Sequence, residues 1–141
     1  MLGNRDAGCR IAGLNFNRHG PSHLFRAAQE GIAFSFRYGI DIMKSLGLDL
    51  HVIRAGHANM LMSPVFRQTL ANVAEVRIEL YETDGALGAA RGAAIGAGIY
   101  SSPIEAFTSL RKNAEVLPVL QDIDSTADAY KRWLAHLNKG L

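Results

Sequence analysis

The segment with the clearest chemical potential is Val52-Ile53-Arg54-Ala55-Gly56-His57-Ala58-Asn59. A short apolar run stops at a glycine, and a helix start, Ser63-Pro64, follows shortly after. In α/β sheets, ligands gather outside the carboxyl ends of strands, where loops are free to vary. A glycine there lets a backbone approach closely and donate its N–H groups. The helix start adds partial positive charge. Together these features suit a nucleotide. The same residues also read as an ordinary strand-to-helix turn, and this segment alone leaves both readings open.

A second pattern is Gly85-Ala86-Leu87-Gly88-Ala89-Ala90-Arg91-Gly92-Ala93-Ala94-Ile95-Gly96-Ala97-Gly98. Each glycine inside a helix costs about 0.8–1 kcal/mol relative to alanine. Gly88, Gly92 and Gly96 recur every fourth residue and share one helical face. Another backbone packed closely on that face would offset the cost. Membrane helix pairs use the same device. Residues 86–100 are shorter than the ~20 residues of a span, however, and Arg91 interrupts them. A helix-on-helix crossing outside a membrane is the expectation, as static packing or as the pivot of two lobes. Self-association through the glycine face is the competing reading.

The remaining groups assemble no complete active site. His19 and His23 are four apart, but Gly20-Pro21 lies between them and opposes a shared helical face for a metal. Asp41, Glu75, Glu79, Glu82, Asp84, Asp122 and Asp124 read as solvated carboxylates. No nucleophile elbow, phosphate-binding P-loop or zinc spacing is present. No catalytic residue and no metal ligand is assigned.

The elements that must position the glycine loop follow from periodicity. Residues 11–16 read as a short strand. A turn at Gly20-Pro21-Ser22 leads into a helix over residues 23–46, closed by Gly47. A second strand centres on residues 51–54. Ser63-Pro64 caps and opens the next helix, with serine outside and proline at its first position. Residues 76–81 alternate apolar and polar types, as a half-buried strand does. A small-residue helix spans residues 85–100. Ser102-Pro103-Ile104-Glu105 is a capping box for a short helix running to Arg111. Residues 113–124 read as loop, and Ser125 starts a final helix carrying Tyr130, Trp133, Leu134 and Leu137 on one stripe. Strands alternating with helices argue for an α/β sheet. Three strands are few for so many helices, so further strands are expected outside this chain.

Composition narrows the function classes. With 141 residues, 48% hydrophobic and 20% charged, the chain is expected to fold as one domain. A formal net charge of +2, with scattered Lys and Arg, argues against nucleic acid. Cys9 is the single cysteine, so no internal disulfide or cysteine zinc site forms, which fits a reducing cytoplasm. Residues 1–20 carry no apolar core of a secretory leader. Neither nucleic acid nor membrane is an expected partner.

Three segments, in order, resemble the FGGY family of carbohydrate kinases. His23-Leu24-Phe25-Arg26-Ala27-Ala28-Gln29-Glu30-Gly31-Ile32-Ala33-Phe34 is similar to that family's "RAALEGIAF" helix. Residues 53–68, ending Ser63-Pro64-Val65-Phe66-Arg67-Gln68, resemble its strand, glycine loop and "SPLWRQ" helix. Residues 84–90 resemble its "E-G-A-L-G-A-A" helix start. The tail, with Ser102-Pro103-Ile104-Glu105-Ala106-Phe107 and a closing helix, has the family's look as well. The likeness covers nearly the whole chain and is closest to the family's xylulose-phosphorylating branch. One departure concerns the loop. The family commonly has an acidic residue before two or three glycines, whereas this chain has Arg54-Ala55-Gly56-His57-Ala58. A histidine where the family has glycine limits positive φ, and its ring could stack on adenine.

The resemblance implies an α/β fold: part of an RNase H-like lobe of the actin-like ATPase type. Its short mixed sheet would be flanked by helices, with the lobe's first strands missing. Residues 1–141 would form one partial domain, with an irregular lead-in at 1–10 and a tail at 113–141. It also implies ATP with Mg²⁺ as cofactors, and ATP or ADP and a pentulose sugar as partners. The adenosine would sit at Gly56, His57, Ala58 and Asn59. The helix from Gly85 would lie at the hinge. The implied whole enzyme is a cytoplasmic phosphotransferase making D-xylulose 5-phosphate, and a homodimer is compatible with it. The 141 residues alone are expected to be inactive. The competing readings are a nucleotide-binding module without catalysis and a glycine-zipper self-association module.

Overall fold

Pro21 opens the longest helix because its missing N–H is no loss in a first turn. The computed structural model of the chain describes residues 8–139; most of the predicted lead-in at 1–10 lies outside them. Helix α1 (Pro21–Ser45) starts two residues earlier than Ser22 as N-cap would place it, with Gly20 at the N-cap. The His23 ring explains the shift, since its Nδ1 accepts the Gly20 N–H at 3.2 Å. Strand β1 (Val52–Gly56) follows, then a 3-10 turn at Asn59–Met62 and helix α2 (Pro64–Ala74). Ser63 caps α2 by accepting the Phe66 N–H, and Pro64 takes the first position, as the sequence predicts. Strand β2 (Arg77–Tyr81), helix α3 (Gly85–Gly96), helix α4 (Pro103–Phe107), strand β3 (Lys112–Val116) and helix α5 (Leu120–Asn138) complete the chain.

The sheet order is β1-β2-β3, with β1 parallel and β3 antiparallel to β2. This is the short mixed sheet that was expected, but one of its strands differs. Residues 11–16 form no strand. Ile11 is 68% and Phe16 87% exposed, and Asn15 instead builds a turn whose carbonyl accepts the N–H groups of Arg18 and His19. Its side chain also accepts the Asn17 N–H at 2.9 Å, an Asx turn that competes with extended backbone. The third strand is β3, inside the stretch that reads as loop. Lys112, Asn113, Ala114 and Glu115 are poor strand formers, and only Val116 is buried. Pairing with β2 overrides that propensity. The α4 helix ends at Phe107 rather than Arg111, and the Arg111 carbonyl accepts the Glu82 N–H beside the sheet. Helix α5 begins before Ser125, whose hydroxyl bonds back to the Asp122 carbonyl within the helix instead of capping it.

One face of the sheet is covered by α1 and α2. Ala33, Phe66, Leu70, Ala71, Ile78, Leu80 and Val116 form the core between them. Ile40, Ala74 and Val76 make a smaller cluster. Helix α5 docks on α1 and α2 through Phe34, Val73 and Tyr130, with Trp133 stacked on Tyr130. The Tyr130 hydroxyl donates to Asp41 at 2.7 Å, and the Arg37 guanidinium bridges Asp41 and the Val73 carbonyl while lying over the Tyr130 ring. Burial, reinforced by that carboxylate, pushes the Tyr130 phenol well above its ordinary pKa, so it stays a donor.

Candidate nucleotide loop and the open sheet face

The alternation of β1 and β2 decides which side chains face away from the core. Ile53, Ala55, Ile78 and Leu80 point to α1 and α2. Arg54, Glu79 and Tyr81 therefore share the opposite face, with Arg77, Lys112 and Glu115 around them. Glu79 is the hub of this face. It is only 7% exposed and takes Arg54 Nε at 2.9 Å, the Tyr81 hydroxyl at 2.8 Å and Lys112 Nζ at 3.5 Å. Hydrogen bonds from Arg54 first, then from Tyr81, hold its carboxyl down at about 2, against burial that works the other way. Glu115 stands directly opposite Glu79 in the ladder, a like-charge pairing that is unfavourable alone. Lys112 neutralises it, lying 3.3 Å from Glu115 and 3.5 Å from Glu79.

The four residues singled out by the sequence run from Gly56, the last residue of β1, through His57 and Ala58 to Asn59, the first residue of the 3-10 turn. The backbone of this loop is tied down in an unanticipated way. The Tyr81 carbonyl accepts both the His57 and the Thr83 N–H groups, each at 2.8 Å, joining this loop to the turn before α3. The Ala58 N–H is turned to the Gly56 carbonyl at 2.8 Å. Neither amide is therefore presented outward as the glycine argument supposed. Gly56 is needed for a different reason. A Cβ there would overlap the Thr83 carbonyl oxygen, with the Thr83 carbonyl carbon only 3.0 Å away. The space freed by the missing side chain belongs to the protein's own backbone.

Two loop side chains remain available. Asn59 is exposed in the left-handed region at φ 52°, which asparagine tolerates better than most residues. Its amide has no hydrogen-bond partner among the described residues. The half-buried His57 ring makes one side-chain polar contact among the described residues, to Arg67 of α2, with Nη1 3.4 Å from Nε2. Beside the loop, a cleft of about 470 Å³ is lined by Arg54, Gly56, Tyr81, Thr83, Phe107 and Leu110. Gly56 alone of the four predicted residues lines it. Glu79, read from the sequence as one of the solvated carboxylates, is instead buried because Arg54, Tyr81 and Lys112 close over it, and Arg67 was not singled out. The strand alternation marked Glu79 as facing away from the core, but nothing local pointed to Arg67.

The other sequence patterns resolve differently. His19 and His23 do approach, with ring centroids 5.6 Å apart. Each Nδ1 already accepts a backbone N–H, that of Asn15 at 3.1 Å and of Gly20 at 3.2 Å, so the pair serves the turn. Among the described residues no group of three or more His, Cys, Asp or Glu converges as a metal cage. None of the helices there is long and apolar enough to cross a membrane. Helix α3 is capped by Asp84, which accepts the Leu87 N–H at 2.8 Å, and ends before Gly98 at φ +72°. Nothing among the described residues lies within 4 Å of a Cβ built at Gly88, Gly92 or Gly96, so that face is open.

Comparison with known proteins agrees with this architecture. Residues 3–100 match the FGGY family of carbohydrate kinases, C-terminal domain. The xylulose kinase of Haemophilus influenzae is 34% identical over 135 residues, covering 92% of this chain and 27% of that protein. The L-xylulose/3-keto-L-gulonate kinase of Escherichia coli is 37% identical over 103 residues, 70% of this chain and 20% of that protein. The crystal structure of xylulose kinase from Rhodospirillum rubrum superposes with a TM-score of 0.74 at 24% identity, over 91% of this chain and 26% of the other. This chain thus spans about a quarter of the length of the relatives it matches. The fold is the α/β arrangement of that part of an actin-like ATPase, and the chain belongs to the FGGY family of carbohydrate kinases, matching its C-terminal domain.

Proposed function

We propose that the chain is the C-terminal part of an ATP-dependent carbohydrate kinase that phosphorylates D-xylulose to D-xylulose 5-phosphate in the cytoplasm. The observation that carries this reading is the family match over residues 3–100, joined by a relative named xylulose kinase that aligns across 92% of the chain. In this reading the loop Gly56, His57, Ala58 and Asn59 seats the adenosine. The chain's chemistry suits that task better than phosphate binding. Asn59 offers a free amide with both donor and acceptor, and His57 offers an aromatic ring. The His57 and Ala58 N–H groups are already engaged, so the phosphates would need other donors. Mg²⁺ would accompany those phosphates, and no residue of this chain is assigned to it.

Phosphoryl transfer depends mainly on positioning and charge stabilisation. This chain supplies a rigid seat, tied through Tyr81 to the turn before α3. The 141 residues by themselves are not expected to turn over sugar. Helix α3, with its open glycine face, would lie at the hinge, where closely approaching backbones allow one lobe to move against the other.

The test is a kinetic panel with the intact gene product: ATP with D-xylulose, L-xylulose and 3-keto-L-gulonate. D-xylulose should give the highest kcat/KM. Preference for either other sugar would replace the proposed substrate, and no ATP-dependent phosphorylation of any of them would remove the kinase reading. Asn59→Gly keeps the left-handed backbone while deleting the amide. It should raise the KM for ATP about fivefold, one hydrogen bond's worth, and leave the KM for sugar unchanged. An unaltered ATP KM would take Asn59 out of the site.

A further inference from the structure

The nucleotide reading leaves one half-buried cation without a role. Arg67, near the start of α2, pairs with no carboxylate among the described residues, whereas Arg54, Arg77 and Lys112 of the sheet and Arg26 and Arg37 of α1 do. Its one polar side-chain contact is to the His57 ring, at 3.4 Å and so at the long end of hydrogen-bond range. A guanidinium has five N–H donors and nothing to accept with. In this contact His57 Nε2 is the acceptor, the arrangement of a ring that carries its proton on Nδ1.

His57 is held at two points. Its N–H is fixed to the Tyr81 carbonyl at 2.8 Å, and its ring tip is fixed to Arg67. The turn beneath cannot slide, because the Thr83 carbonyl fills the space beside Gly56. No other aromatic ring of the described residues stacks on His57. A planar ring immobilised in advance loses little freedom when a ligand stacks on it.

We propose that Arg67 is a positioning residue: it locks the His57 imidazole, as the Nδ1–H tautomer, into a platform on which a purine base stacks. The proposal rests on the nucleotide reading of the loop. Arg67 acts through the ring rather than on the base, and it makes the histidine a fixed surface.

Nitrogen-15 spectra of histidine-labelled intact gene product report the tautomer directly, without nucleotide. Wild-type His57 should show an unprotonated Nε2 and a protonated Nδ1. Arg67→Met should shift the proton toward Nε2 and weaken ADP affinity about fivefold, as loss of one hydrogen bond would. Arg67→Lys keeps a donor and should recover most of both. His57→Ala should weaken ADP about tenfold, the loss of one stacking ring, and Arg67→Met should add nothing on that background. If Arg67→Met fails to fold, the Arg67→Lys and His57→Ala pair carries the test. A wild-type ring protonated on Nε2 would overturn the positioning role whether or not ADP binds. A tautomer that switches in Arg67→Met with unchanged ADP affinity would overturn the platform and leave the nucleotide reading standing. An Nδ1–H ring in a protein that binds no ADP would overturn both.

Discussion

Gly56→Val is expected to destabilise the protein by about 3 kcal/mol, the upper part of the range for forcing atoms into filled space. Gly56→Ala should carry most of that cost, because the Cβ alone overlaps the Thr83 carbonyl. The obstacle is backbone, and it cannot give way cheaply. Thr83 is held by its N–H to the Tyr81 carbonyl, and the same carbonyl holds His57. Pushing Thr83 aside would break that shared acceptor and tilt Asp84, the cap of α3. Urea unfolding followed by circular dichroism should show a lowered midpoint for both variants, with nucleotide affinity falling in step. A glycine needed only for ligand approach would instead lose affinity at an unchanged midpoint. Asn59→Gly gives the contrasting pattern, with weakened nucleotide binding and little change in the midpoint. A Gly56→Ala midpoint equal to wild type would show that the turn yields, and the packing account of this glycine would fail.

The contrast shows how far a sequence reaches. The loop at Gly56 was legible because a strand ending in glycine ahead of Ser63-Pro64 is a local signal, written in neighbouring residues. Helix α2 and strand β2 were legible for the same reason, since cap and period lie within a few residues; α1 and α3 were legible by their periods, but α1 is capped by Gly20 rather than Ser22 and α3 stops at Gly96 short of Tyr100. The reason for the glycine was not legible, because the Thr83 carbonyl reaches it from a separate turn. Strand β3 failed in the same way. Lys112 to Glu115 have little strand propensity of their own, and the ladder offered by β2 makes them a strand. The converse error fell at residues 11–16, where a short apolar run has no neighbouring strand to receive it among the described residues. Arg67 was read only as part of a motif on α2, because its contact to His57 depends on how the loop folds back over the helix.

Glu79 carries the remaining large prediction, because a nearly buried carboxylate organises three cations on the open sheet face. Its carboxyl is lowered from an ordinary 4.5 to about 2, chiefly by the Arg54 hydrogen bond. A carboxyl depressed on folding stabilises the native state above its unfolded pKa, and that contribution is lost as pH falls through the folded one. The window is therefore pH 4.5 down to about 2. Wild-type protein should lose stability steeply across it, as protonation takes the carboxylate from Arg54, Arg77 and Lys112. Glu79→Gln should be less stable than wild type at pH 6, because the cations then face a neutral amide with little water around it. The two curves should converge as pH approaches 2. Glu105 is also depressed, by hydrogen bonds from Ser101, so the wild-type acid limb alone does not isolate Glu79, whereas the difference between the two proteins does. Urea midpoints measured at half-unit steps would draw both curves. Parallel curves would mean that Glu79 is not coupled to folding, and the open face would then be an ordinary solvated surface. Converging curves would make it an electrostatic clamp that aligns β1, β2 and β3 beneath the nucleotide loop.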